Sequence, residues 1–383
     1  MSDDEDLEEY DPDQDEPEEE KENKEAEEGE EKEGGEEAEE FIPNPITEDT
    51  MKEGLSLLCK TGSGLSHAYV KLEAKDNSSY FLPHSSCHAL SLILTAALAS
   101  LPSPLSRELT DISLLSSYIH LRYVDLSGNR LSDLSPLNHL THLLWLKVDH
   151  NRLQSARMSE LPYLQIASFA YNQITDTEGI SHPRLGSLDL KGVLWVGRGN
   201  NIKKITGLDP QKLVNLHTLE LRGNQLESTL GLNLPKLKNL FLAQNQVNTI
   251  EGTEGLSYLT TLHLRDNQIS SLSGFSHEMK SLQYLNLRGN MVTNLTELGQ
   301  LKDLPRLRAL ILLENPCTDE NDYRQEALIQ IPQLERLDKE FYEEEERAEA
   351  DEIRQRLKEE QEQDMEQDLD QFGDKEDVDE IVV

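Results

Sequence analysis

Leucines and one asparagine recur along this chain at fixed offsets. Leu121, Val124, Leu126, Asn129 and Leu131 follow the spacing L-x-x-L-x-L-x-x-N-x-L. The same spacing returns in the segments ending at Asn151, Asn172, Asn224, Asn245, Asn267 and Asn290, and once more as Leu307, Leu310, Leu312 and Asn315. A further copy opens at Leu185, Leu188 and Leu190 but is interrupted before its asparagine. Side chains alternate across a strand, so each L-x-L predicts a short strand with its leucines on one buried face. Nine copies in register predict nine parallel strands about 4.8 Å apart, a sheet of roughly 40 Å along the stack. The asparagine falls just past the strand. There its amide is expected to turn inward and pair backbone groups that the turn would leave unbonded. Asn129, Asn151, Asn172, Asn224, Asn245, Asn267, Asn290 and Asn315 thus form a predicted structural ladder.

No single unit of this length buries its own apolar face; stacking does that. The steps between clean neighbours, 21 to 25 residues, are those of the leucine-rich repeat. The predicted class is α/β: a solenoid of 22-residue-type repeats with a curved parallel sheet and helical caps. A charged C-terminal helix and disordered acidic tails complete it. Thr50 and Glu53 have capping-box spacing and predict a short front helix ahead of Leu55, Leu57 and Leu58. Asn315-Pro316-Cys317, then Tyr323 to Leu328, Ile331, Leu334 and Leu337, read as a helical cap at the back. Cys317 stands where other repeats carry Leu or Ile, which makes it a core thiol. Asp338–Glu360 is rich in helix formers, with Ile353 and Leu357 as its clear apolar pair. It reads as a solvated helix running off the cap; the alternative is a docking helix of about 33 Å.

The organisation that follows is an acidic tail at 1–42 and an N-terminal cap with a degenerate first repeat at 43–75. Residues 76–106 read as an insertion, 107–316 as the repeats with a second insertion at 193–199, 317–342 as the C-terminal cap, and 343–383 as a charged helix and tail. The run Ala89–Leu101 is too short to span a membrane, which takes about 20 residues, and Pro102 and Pro104 end it. Removing 193–199 would restore the repeat, with Asn200 and then Ile202 in the last two consensus places. His84, Cys87 and His88 have metal-like spacing but no fourth ligand, so no metal or cofactor is expected.

Charge changes the picture at the ends. The 383 residues carry a formal net charge of −38. Residues 1–40 hold 24 acidic side chains against 3 basic, and 343–380 hold 19 against 5, so the body between is nearly neutral. Such tails have too little apolar surface to offset the entropy of ordering. The balance argues against nucleic acid as a partner. Cys59, Cys87 and Cys317 form no C-x-x-C pair, which fits a reducing compartment, and the first forty residues lack the apolar stretch of a secretory signal. Phosphate-loop, nucleophile-elbow, dinucleotide and zinc-protease signatures are absent from the sequence. The chain reads as a non-enzyme without a small-molecule substrate, and as neither anchored in nor crossing a membrane.

The candidate site is the concave strand face. The position after each L-x-L includes Lys191, Arg222, Arg265 and Arg288; positions within and before it add Tyr123, Trp145, Phe241 and Tyr284. Two readings stand. In one, the cations pair with Asp189, Glu220 and Asp266 in a solvated lattice worth little. In the other, guanidinium groups and aromatics form a groove for an acidic partner segment.

The segments Met51–Glu73, Leu161–Leu185, Ser281–Asn290 and Leu337–Glu360 resemble the axonemal radial-spoke leucine-rich-repeat proteins. The resemblance covers the acidic start, every repeat and the terminal helix. It implies a non-catalytic component of radial spokes in the axoneme of motile cilia and sperm flagella, needed for spoke assembly and motility. Its implied partners are other radial-spoke or axonemal proteins. Repeats joined to acidic tails also occur in acidic nuclear regulators such as histone chaperones, and this repeat subclass in phosphatase regulatory subunits. Both remain alternatives at this point.

Overall fold

The computed structural model describes residues 43–60, 67–74, 108–193, 199–320 and 322–373. The acidic segment 1–42 lies outside them. So does the 76–106 insertion with His84, Cys87, His88 and the apolar run, along with 194–198 and 374–383. A short helix α1 (Glu48–Gly54) leads into an antiparallel hairpin, β1 (Leu55–Lys60) and β2 (His67–Glu73). Nine three-residue strands follow: β3 (Tyr123–Asp125), β4 (Trp145–Lys147), β5 (Ile166–Ser168), β6 (Ser187–Asp189), β7 (Thr218–Glu220), β8 (Asn239–Phe241), β9 (Thr261–His263), β10 (Tyr284–Asn286) and β11 (Ala309–Ile311). Then come helix α2 (Tyr323–Gln330), a small hairpin β12 (Arg336–Leu337) and β13 (Glu340–Phe341), and helix α3 (Glu344–Gly373). All thirteen strands form one sheet in chain order, parallel from β2 to β12. The solenoid expected from the repeat spacing is the fold.

Each strand sends its consensus apolar residues inward. Val124, Leu126, Leu146, Leu188, Leu219 and Leu285 are fully buried, and the same core runs unbroken through the stack. Just past each strand the chain reverses through a left-handed residue. Some of these are glycines, Gly128, Gly223 and Gly289, but His150, Tyr171, Gln244, Asp266 and Glu314 adopt the same turn, with φ from 53° to 62°. The next residue is the asparagine. Asn151 donates from Nδ2 to the carbonyls of Val148 and Leu126, both at 3.0 Å, and its Oδ1 accepts from the Leu131 amide at 2.9 Å. The eight predicted asparagines are all buried, and each repeats this pattern against its own repeat and the one before.

Asn200 takes a ninth rung. It bonds the Phe169 carbonyl at 2.9 Å and the Leu190 carbonyl at 3.1 Å, and accepts from the Ile174 amide at 3.0 Å. Gly192 and Asn200 are bridged to each other, so the inserted residues leave and re-enter the repeat at one point. A Cβ at Gly192 would run into the carbonyl oxygens of Gly223 and Asn200, which is why that junction holds glycine. Deleting 193–199 is expected to leave the thermal midpoint unchanged or higher; a drop of more than a few degrees would show the inserted residues to be packed.

The caps differ from the sequence expectation in two ways. At the front, the helix starts earlier than the Thr50–Glu53 spacing suggested. Thr47 is the N-cap and its side chain accepts from the Thr50 amide at 3.2 Å. Leu55 to Lys60, with Leu57 and Leu58 exposed, continues as a strand because β2 offers it a hydrogen-bonded edge. β2 is itself the strand of the first repeat: Lys71, Leu72 and Glu73 pair with Tyr123, Val124 and Asp125. At the back, Asp338 to Tyr342 is a hairpin rather than the start of a helix. Asp338 has φ 56° and acts as a terminal rung, accepting from the amides of Leu312 (2.8 Å) and Leu313 (3.2 Å) and from the Tyr323 hydroxyl (2.8 Å). The charged helix begins at Glu344 and runs 30 residues, about 45 Å. Its first turns are tied to the cap through Arg324–Glu346, the Arg347–Leu334 hydrogen bond and buried Ala350, and from Gln355 to Gln363 its side chains face solvent. Cys317 is buried, and burial pushes its thiol up to about 11, as a core position requires. Among the described residues no helix is long and apolar enough to cross a membrane.

Candidate functional site on the concave sheet face

Parallel register stacks equivalent positions into rows, so the concave face is a grid of side chains. Lys191, Arg222, Arg265 and Arg288 fall in one row, beyond the second inward leucine of their repeats. Each has a carboxylate. Lys191 Nζ lies 3.7 Å from Asp189 and 3.4 Å from Glu220; Arg222 reaches Glu220 at 3.9 Å. Arg265 pairs with Asp266 at 3.2 Å and Arg288 with Glu314 at 2.7 Å. Asp266 and Glu314 come from the left-handed turn row, so the turns that end the strands also bring acids to the arginines.

Burial sets the electrostatics of this lattice. It works against the charge of Lys191, but Glu220 and Asp189 outweigh it and hold the ammonium protonated above its ordinary range. Burial also raises the Glu220 carboxyl, with Lys191 and Arg222 opposing. Asp149 is pushed up to about 6 by burial, against Lys147 at 3.4 Å and hydrogen bonds from Ser168 Oγ (2.5 Å) and the Ala170 amide (3.0 Å).

The aromatic positions divide between two places. Phe241, His263 and Tyr284 form a stack across β8, β9 and β10, with centroids 4.9 and 5.0 Å apart. His263 is 2 % exposed, and burial, aided by Arg222, lowers its imidazole to about 3. Tyr123 and Trp145 lie opposite one another on β3 and β4, at the other end of the sheet. Tyr123 is 37 % exposed and Trp145 half-buried. The structure adds two residues to this end. Leu58 (55 % exposed) and Tyr69 (50 %) are cross-strand partners on the front hairpin, beside Lys71 and Tyr123. Repeat spacing could not find them, because the hairpin does not follow the consensus.

His263 gives a pH test. A lowered folded pKa means that the native state binds fewer protons than the unfolded chain, so the stability it contributes is present above about 6.5 and lost as pH falls toward 3. His263→Phe keeps the stack and removes the titration. The difference in urea midpoint between variant and parent should therefore grow in the variant's favour from pH 6.5 downward. A constant difference would mean that His263 does not titrate in this way.

The grid offers contact surface, ion pairs and no reacting constellation that the described residues reveal; they contain no group of three or more His, Cys, Asp or Glu able to hold a metal. Comparison with known proteins gives the grid its setting. A leucine-rich-repeat family model matches residues 208–369, and a second matches 120–140. The chain is 68 % identical over 324 residues to leucine-rich repeat-containing protein 23 of Homo sapiens, covering 85 % of this chain and 84 % of that one. The chain belongs to the leucine-rich repeat-containing protein 23 family. Against the Mus musculus member the match is 64 % over 361 residues, 94 % of this chain and 95 % of the other. A shorter likeness, 43 % over 90 residues, is to cilia- and flagella-associated protein 410 of Homo sapiens, covering 23 % of this chain and 35 % of that one. A leucine-rich-repeat solenoid of this family is a protein-interaction scaffold, and its surface rows are where partners are to be sought.

Proposed function

We propose that the protein is a radial-spoke component of the axoneme in motile cilia and sperm flagella, where it holds neighbouring spoke proteins together without catalysis. The observation that carries the scaffold reading is the concave grid itself. Thirteen strands present fixed rows of aromatics and ion pairs on a stack whose spacing does not change. The ciliary setting is supported by the partial likeness to a cilia- and flagella-associated protein and by the resemblance stated for the repeats and terminal helix. On this reading a partner segment lies along the concave face, against Tyr123, Trp145, Phe241 and Tyr284. Lys191, Arg222, Arg265 and Arg288 exchange part of their internal pairing for the partner's acids.

Fractionation tests the reading. The tagged full chain, expressed in ciliated cells, is expected to stay with the axoneme after detergent extraction and to cross-link to spoke proteins from a photoreactive residue at position 145. Recovery in the soluble or nuclear fraction would favour the phosphatase or nuclear alternatives and overturn the axonemal assignment.

A further inference from the structure

The concave cations are internally matched, but a second row of cations is not. The backbone amides of Leu144, Gln165, Gly186, His217, Lys238, Thr260, Gln283 and Arg308 each donate to the carbonyl of the same position in the preceding repeat. That chain of hydrogen bonds runs from the Val70 carbonyl through Arg122 and on to the Glu335 amide, so these residues form one continuous row, which from Arg122 to Arg308 lies just after the first consensus leucine. The residues just before that leucine make a parallel row on the same rim of the solenoid. Between His120 and Arg308 the two rows contain Arg122, Arg184, Lys236, Lys238, Arg306 and Arg308 and no Asp or Glu; the next rung, in the C-terminal cap, is Glu335. In a chain with 74 acidic and 36 basic side chains this is a reversed balance.

All six cations are exposed. Arg308 pairs with Glu335 at 3.2 Å, where the row ends. Among the described residues no ion pair forms with the other five. The rim also carries a stacked set, His142 on Tyr163 at 6.2 Å and the Arg184 guanidinium 4.9 Å over the Tyr163 ring. The ring face holds the Arg184 guanidinium in place while its side chain stays exposed.

We propose that this rim is a docking edge for a glutamate- and aspartate-rich polypeptide segment of a partner. Charge complementarity names the class. The cation groups sit two or three repeats apart, roughly 10 to 14 Å at the strand spacing. A flexible acidic segment can place a carboxylate at each, whereas a nucleic acid presents phosphates at a closer, regular interval. Arginine can donate two parallel N–H bonds to one carboxylate, which suits Arg122, Arg184 and Arg306 to such a segment. The proposal takes from the scaffold reading only that the occupant is protein; it does not depend on the axoneme and uses no axonemal readout.

The test is fluorescence anisotropy of a labelled 15-residue Glu-rich peptide with the full chain, read at several salt concentrations. The rim variant K236E/K238E/R306E should bind at least about tenfold more weakly and show a shallower salt dependence. R265E/R288E on the concave face should weaken this peptide less than the rim variant does, since those arginines must first give up Asp266 and Glu314 before they can take a partner's acid. A rim variant K236Q/K238Q/R306Q, checked for an unchanged thermal transition, should show a smaller loss of the same sign. Equal binding by parent and rim variants would overturn the proposal, as would a larger loss from the concave variant. Tighter binding of a 15-nucleotide single strand than of the peptide would overturn it in favour of nucleic acid. Peptide binding seen only after removal of residues 1–42 would overturn it in favour of occupancy by the chain's own acidic segment.

Discussion

Asn245→Ala is expected to destabilise the protein by about 1–3 kcal/mol, read as a lower urea midpoint at unchanged slope. The side chain accepts from the Leu226 amide at 3.1 Å and donates to the carbonyls of Leu221, Leu242 and Ala243 at 3.0 to 3.1 Å. The losses are unequal. The Leu221 carbonyl keeps a bond from Asn224 and the Leu242 carbonyl one from Asn267, so each is left half-satisfied. The Leu226 amide sits in the core and loses its acceptor, and an orphaned buried amide costs about 1–3 kcal/mol. Asn248→Ala, three residues on at an exposed position, should change stability by less than about 0.5 kcal/mol. Equal effects at the two sites would remove the ladder from the account of stability. Because the rung ties adjacent repeats, a broadened or split transition in Asn245→Ala would show that it also carries cooperativity along the stack.

Ending the chain before Tyr323 should abolish the cooperative fold. The cap places Leu328, Ile331, Leu334, Leu337 and Ala327 over the last consensus strand, all essentially buried. Four large aliphatic side chains are worth on the order of 10 kcal/mol of burial, comparable with the whole stability of an ordinary domain. Their removal also bares Leu310 and Leu312 at the open end of the sheet and takes away Asp338, the acceptor for the Leu312 and Leu313 amides. Such an end invites edge-to-edge association. Ending the chain after Glu360 removes none of these contacts and should leave the thermal midpoint where it was. A soluble chain ending before Tyr323 with a midpoint within a few degrees of the parent would show that the repeats close their own end.

Where the sequence was legible, one short pattern fixed both a direction and a partner. The period-two L-x-L set the inward face, and the asparagine three residues on had a single geometry that satisfied its amide. The pattern holds even across the interruption after Leu190, because Asn200 and Ile202 keep their spacing from each other. It failed where structure depends on a neighbour distant in sequence. Leu55 to Lys60 has no strand signal of its own and is extended because β2 lies beside it. Asp338 lacks a preceding consensus repeat yet finishes the ladder, since the Leu312 and Leu313 amides need an acceptor. The concave face was the hardest part. Its cations were visible as a row, but Glu314 lies 26 residues beyond Arg288, and only the stacking of repeats shows that the two meet. The rim cations were each visible, and only the backbone ladder shows that they share one edge.

The left-handed turns do more in this molecule than reverse the chain. Glycine adopts that backbone freely, whereas a residue with a Cβ is held there at about 1 kcal/mol or somewhat more. His150, Tyr171, Gln244, Asp266 and Glu314 all occupy it, a strain that glycine would relieve only in part, because glycine itself loses more backbone entropy on folding. What it keeps instead is visible on the surface: His150 and Tyr171 stacked at 4.5 Å, Asp266 beside Arg265, and Glu314 on Arg288. At these bends the backbone strain is the condition for side-chain contacts that glycine could not make.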